Sequence, residues 1–275
     1  MKKYTFWSIT VLLITLTIFA INRPTSAEKS VVNNQILKSQ PVSMEAANEE
    51  NAASAEQIFD QYITETYTTM GLTSAGLSLD VFKKALTGYF NLKDSGKLSS
   101  QKDILSIVDF TKSSKSKRLW IIDLAAQKLL FNTLVAHGQG SGNDLATSFS
   151  DLANSHKSSL GFYVTNETYF GKHGLSLRLD GMDEGYNTNA RNRAVVVHGA
   201  AYVSQSAIKQ LGRLGRSHGC PALPTELTKP IIETIKDKTV LFINGPENNY
   251  SSAYLNTTGA ASNYAMQYAG SQSSI

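Results

Sequence analysis

Two stretches of this 275-residue sequence could do chemistry together: "AVVVHGA" (194–200), which carries His198, and "GRSHGCPAL" (215–223), which carries Cys220. A thiol becomes a nucleophile when a base or positive charge lies beside it and a substrate can reach it. His198 directly follows an apolar run that reads as a strand, and a strand end is a rigid place from which to aim an imidazole. The segment between His198 and Cys220 is long enough for a loop and a return. Gly215 and Gly219 let the chain turn sharply, so that the N–H groups of Gly219 and Cys220 face a developing oxyanion. Pro221 fixes φ just past the sulfur and donates no N–H. His218, Arg213 and Arg216 bring further positive charge, and the two arginines are expected to meet a carboxylate of the substrate. Nucleophile, histidine base and backbone donors are the parts of a cysteine acyl-transfer site.

Cys220 is the only cysteine, which excludes an intramolecular disulfide. An average lone cysteine is a buried small hydrophobe, but this one has polar, glycine-rich neighbours. His198, His218 and Cys220 also form a set of three zinc-ligand types, yet no CxxC or HExxH spacing accompanies them. No metal and no cofactor are therefore expected. Upstream, "TYFGKHGLSLRLDGMDEGYNTNARNR" is dense in glycine, tyrosine, asparagine and charge, and His173, Tyr169, Tyr186 and Arg193 are expected to line a substrate groove.

The N-terminus reads as an export signal over residues 1–27: Lys2 and Lys3, an apolar run from Tyr4 to Ile21, and a small-residue "TSA" ending at Ala27. That places the protein in the periplasm or cell envelope, where an idle thiol is a liability. With the signal cleaved no membrane contact is expected; the alternative reading of the same run, near the lower length for a spanning helix, is an uncleaved N-terminal anchor. Loss of Lys2, Lys3 and Arg23 lowers the formal charge from +4 to +1. A near-neutral chain without a clustered basic stripe gives no electrostatic basis for nucleic-acid binding.

Residues 28–53 are polar and aperiodic and read as a flexible linker. An N-terminal helical segment is expected over 54–103. Its first helix has Ser54 as cap and a stripe of Ile58, Phe59, Tyr62, Ile63 and Tyr67, and its second has Ser78 as cap and a stripe from Val81 to Phe90. From 104 the period changes to strands: "ILSIVDF", then a hairpin of "KRLWIIDL" and "KLLFNTLV", then "LGFYVTNETY", "LSLRLDG", "RAVVVHGA" and "TVLFING". One helix near 225–237 precedes the last of these, with Pro230 expected to bend it unless the helix begins there. The fold class is mainly β with flanking helices, sandwich-like or barrel-like, over 104–245. Residues 246–275, low in charge and rich in Asn, Ser, Ala and Tyr, are expected to form a mobile tail.

The His-Gly and Ser-His-Gly-Cys motifs, extended back through "GFYVTNETYFGKHGLSLRLDG" and "LWIIDLAAQKLLFNTLVAHGQGSG", resemble the L,D-transpeptidase (YkuD-like) catalytic domain, in its murein branch. The resemblance covers Ile104 to Gly245. It implies a β-sandwich-like catalytic fold and a cysteine acyl-enzyme on peptidoglycan. The donor is a stem tetrapeptide that loses its terminal D-alanine, and the acceptor is an amine. Carried onto this chain, Cys220 is the nucleophile and His198 the base, oriented by a backbone carbonyl near Gly199. Gly219 and Cys220 bind the oxyanion, and His218 is an auxiliary. Arg213, Arg216, Ser217, His173 and Tyr186 are the expected substrate contacts. Two positions depart from the common form, which has an apolar residue at Pro221 and Asn or Arg at Ala222; the loop from His198 to Ser217 is also longer. Water as acceptor would make the domain a carboxypeptidase or peptidoglycan hydrolase, and a domain without turnover would be a wall-binding module.

Overall fold

The structure is a computed structural model that describes residues 44–272, with side chains described over 54–267. The expected signal at 1–27 and most of the expected linker lie outside the described residues. Among the described residues, five helices flank one eight-stranded mixed sheet, a half-barrel. The strands are β1 (Ile104–Asp109), β2 (Leu119–Asp123), β3 (Lys128–Thr133), β4 (Gly161–Gly171), β5 (Gly174–Gly181), β6 (Val196–Gly199), β7 (Ala222–Leu223) and β8 (Val240–Asn244), in the order β3-β2-β1-β8-β4-β5-β6-β7. β1 runs parallel to β8 and β6 parallel to β7, whereas the remaining neighbours are antiparallel.

Alternation along the strands feeds two cores. Leu105 and Ile107 of β1 join Trp120, Phe162 and Phe242 on the face covered by the N-terminal helices, while Ile104 and Val108 point to the opposite face, with Ile121, Tyr163 and Leu241. Each such fully buried side chain stabilises the fold by about 1.5–3 kcal/mol, which is how the chain does without disulfide staples. The second face is closed by α4 (Thr225–Ile235) through Ile231, Ile232 and Ile235. α4 runs through Pro230 instead of beginning there. The carbonyl that loses its bond to the proline belongs to Glu226 in the first turn, and the proline sits on the exposed face while the isoleucines hold the inner one.

α2 (Leu79–Asp94) starts where expected, with Ser78 Oγ accepting the Val81 N–H at 3.3 Å, and its stripe from Val81 to Phe90 is buried. Two expectations are corrected at the ends. α1 (Met44–Thr69) begins ten residues ahead of Ser54, inside the expected linker, and Ile58 of its predicted stripe is 50% exposed while Phe59 and Ile63 are buried. Of the tail expected over 246–275, residues 246–272 are described, and they are not simply mobile. Buried Asp183 accepts hydrogen bonds from Tyr250 Oη and Ser252 Oγ, both at 2.6 Å, and Asn91 Nδ2 donates to the carbonyls of Tyr254 and Asn256. The chain then forms α5 (Thr257–Gln272) against α1 and α2. Small size makes this packing work: Ala260 and Ala261 are fully buried, which lets α5 approach closely, and Tyr264 stacks on Tyr62 at 4.4 Å.

Candidate active site

His198 and Cys220 reach one cavity because β6 and β7 pair in parallel. His198 is opposite Ala222 in that register, and Cys220 lies two residues before Ala222. The sulfur therefore falls beside the start of β6, where the Val196 N–H points at Sγ from 3.5 Å and the thiol faces the Ala194 carbonyl at 3.7 Å. His198 is two residues further along the same strand, on the same side of it. Both side chains open on one cavity of about 390 Å³, which Lys172, His173, Arg193 and His218 also line.

His198 is nearly buried, and its Nδ1 bonds the Gly199 carbonyl at 2.9 Å. With the proton on Nδ1, Nε2 carries the free lone pair. Burial, with a smaller contribution from His173 and Lys172, holds the imidazole below its ordinary value. Burial pushes the Cys220 thiol up, opposed by the Val196 N–H and by the charges of Arg193 and Lys172. Both directions favour a neutral thiol and a neutral imidazole on the same cavity. Positive charge near the sulfur comes from Arg193 and Lys172, not from Arg213 and Arg216.

The loop that carries Cys220 is braced on several sides. Ser217 Oγ donates to the Cys220 carbonyl at 2.6 Å and accepts the Gly219 N–H at 3.0 Å, and the Ser217 N–H donates to the His137 carbonyl. Ser158 Oγ donates to the Gly219 carbonyl at 3.1 Å. Gly219 adopts φ +124°, and a Cβ there would come within 2.8 Å of the Lys157 carbonyl oxygen and 3.3 Å of Arg193 Nη2; only glycine fits. Beneath the loop, fully buried Arg118 donates to the Val135 and Lys112 carbonyls and, at 2.8 Å, to His137 Nδ1. Burial, and then Arg118, push His137 down to about 4, so its imidazole stays neutral and able to accept that bond.

Several expected contacts are placed elsewhere. Arg213 donates to the Leu214 carbonyl and does not line the cavity. Arg216 lines it, but its guanidinium clamps the turn at 139–143 through Gly142 O, Asn143 Oδ1 and Gln139 O. Tyr186 donates to the Asn249 carbonyl and lines a separate cavity with Phe149 and Leu152. Ser217 is at the site as a brace of the loop. The Gly219 N–H, expected at the oxyanion, is taken by Ser217, whereas no acceptor among the described residues takes the Cys220 N–H. Ala222, where the common form is polar, is fully buried between β6 and Ala136 and faces Leu134, Ala200 and Leu214. His218 stacks on His156 at 4.3 Å, and His173 stacks on His198 at 4.3 Å.

Lys172 and Tyr202, which are not among the expected site residues, also line the cavity. The glycines bracketing Lys172 and His173 were the available signal for a turn at that place. Among the described residues no group of three or more His, Cys, Asp or Glu side chains is arranged to hold a metal ion. None of the described helices is long and apolar enough to cross a membrane.

A thiol and an imidazole on one cavity, with the cysteine's own backbone N–H uncommitted among the described residues, are the parts that acyl transfer through a cysteine requires. The family model of the L,D-transpeptidase catalytic domain matches residues 73–244. The chain belongs to that family, whose members act on peptidoglycan. Among solved structures it is similar to the L,D-transpeptidase from Mycobacterium smegmatis, at 12% identity and a TM-score of 0.33 over 52% of this chain and 59% of that one. It is also similar to the helical cell shape determining protein Pgp2 from Campylobacter jejuni, at 15% identity and a TM-score of 0.35 over 68% and 65%. A third similar structure is an L,D-transpeptidase from Stackebrandtia nassauensis, at 18% identity and a TM-score of 0.32 over 67% and 77%. The chain thus spans less than two thirds of the mycobacterial and Campylobacter chains. No curated protein matches the sequence.

Proposed function

We propose that this chain is an exported cysteine acyltransferase on peptidoglycan stem peptides, with Cys220 as nucleophile and His198 as general base. The observation that carries the reading is that Cys220, whose Sγ lies against the start of β6, and His198, two residues along that strand from Val196, open on one cavity in a domain of this family. Export rests on the charged, apolar and small-residue order of residues 1–27.

Because thiol and imidazole both start neutral, the proton moves as the bond forms. Sγ attacks the carbonyl carbon of the L-to-D peptide bond while its proton passes to His198 Nε2. The carbonyl oxygen becomes an oxyanion that the Cys220 N–H is free to meet. Collapse breaks the C–N bond, the leaving amine of the terminal D-residue takes the proton from His198, and a thioester remains on Cys220. An acceptor amine then attacks the thioester and gives its proton to His198, and the thiol is restored as the new amide forms.

Mass spectrometry of the protein after exposure to a tetrapeptide muropeptide tests this. The expected result is an adduct on Cys220 with release of D-alanine, absent from Cys220→Ala; turnover retained in that variant refutes the reading. Cross-linked dimers among the products identify an amine acceptor, trimmed tripeptides identify water, and binding without any adduct identifies a wall-binding module.

A further inference from the structure

The cavity around Cys220 is lined by cations and imidazoles, with no Asp or Glu among its residues. Its two arginines are already engaged. Arg193 is buried and bonds Ser150 O, Ser159 Oγ, Ser155 Oγ and Lys157 O, and Arg216 clamps the turn at 139–143. Lys172 differs from both. It is exposed at the two-residue turn between Gly171 and Gly174 that joins β4 to β5, and no acceptor among the described residues takes its ammonium. Its charge nevertheless reaches both His198 and Cys220.

The position of the turn limits what Lys172 can meet. In the proposed reaction the leaving amine must sit at His198, which protonates it. On an amino acid that leaves from the C-terminus, the free carboxylate is only two bonds from that amine. It therefore falls beside whatever covers His198, and what covers it is this turn, whose His173 stacks on the His198 ring at 4.3 Å.

The geometry points to Lys172 as the anchor for the carboxylate of the leaving residue, which would restrict the enzyme to peptide bonds whose departing residue is the free C-terminal one. This inference rests on the proposed acyl transfer and deepens it. The ammonium on its flexible stem donates to the carboxylate, and the pair is charge-assisted. Because the turn is exposed, the gain is at the low end for such a bond, about tenfold in affinity.

The test uses full-length Cys220→Ala, which binds without turning over, and two ligands: a stem tetrapeptide ending in D-alanine and the same peptide as its C-terminal carboxamide. Calorimetry is expected to give about tenfold tighter binding of the acid, equal binding of both ligands by the Lys172→Met double variant, and a restored preference with Lys172→Arg. Equal binding of acid and amide while Lys172 is present, or a preference that survives Lys172→Met, overturns the assignment. The adduct experiment separates the two readings: wild-type protein that forms the Cys220 thioester equally fast from acid and amide keeps the acyl transfer and loses the anchor. Absence of both the adduct and tetrapeptide binding removes both.

Discussion

Replacing Gly219 by alanine strains the nucleophile loop in two ways that add. A residue with a side chain held at φ +124° stores about 1–3 kcal/mol, and the new Cβ lies 2.8 Å from the Lys157 carbonyl oxygen. Neither side can yield cheaply. The Lys157 carbonyl accepts from Arg193 Nη2 at 2.7 Å, while Gly219 is pinned through its N–H to Ser217 and through its carbonyl to Ser158. The combined cost is roughly 3 kcal/mol, which lowers the melting temperature of a chain this size by about 6–12 °C. Gly212→Ala is the control. Gly212 sits at φ +70° with nothing within 4 Å of its Cβ position, so only the left-handed backbone is penalised, by about 1 kcal/mol or 2–4 °C. Circular-dichroism melts compare the two, and the rate of Cys220 acylation by a muropeptide reads the displacement of the sulfur. Gly219→Ala is expected to slow acylation by about a hundredfold, with Gly212→Ala unchanged. Equal melting shifts, or an unaffected acylation rate in Gly219→Ala, refute the argument that close packing behind the loop sets the nucleophile.

Two further outcomes follow from the site and the C-terminal helix. His198 lies below its ordinary value and Cys220 above its own, so the base stays neutral down through the ordinary imidazole range. The acid limb of acylation should fall below pH ~6.5, and thiolate absorbance near 240 nm should appear only above pH ~8.5; thiolate already present at pH 6–7 contradicts the neutral pair. Tyr264→Ala removes a ring packed 4.4 Å from Tyr62 and 5.4 Å from Phe90, and should cost about 2–3 kcal/mol and 4–12 °C of thermal stability without changing acylation. An unshifted melt would mean that α5 adds nothing to the folded core.

The strands and α2 were legible in the sequence because their apolar residues recur at the strand or helix period and Ser78 marks a start. α5 was not, because it contributes alanines and one tyrosine: Ala260 and Ala261 are buried by closeness of approach, which leaves no hydrophobic stripe to read. α3 (Gln205–Leu211) was also missed, although Ser204 caps it through the Ala207 N–H and Gly212 closes it in the left-handed region. β7 is two residues long and defined by its neighbours alone. At the site, residue types pointed to His198 and Cys220, but how each cation is used depends on contacts distant in sequence. Arg216 is consumed by the carbonyls at 139–143, and Arg193 by those at 150 and 157. Lys172 is left over only because its turn projects past them.

The parallel pair β6–β7 confines the proposed nucleophile and base to one short unit, Val196 to Leu223, whereas the turn whose His173 stacks on His198 is supplied by a hairpin from a different part of the chain. Reaction and recognition are therefore separable for an engineer. Within that turn Lys172 is exposed and open to exchange, which on the proposed anchor resets the departing groups admitted, whereas His173, stacked on His198, has to stay.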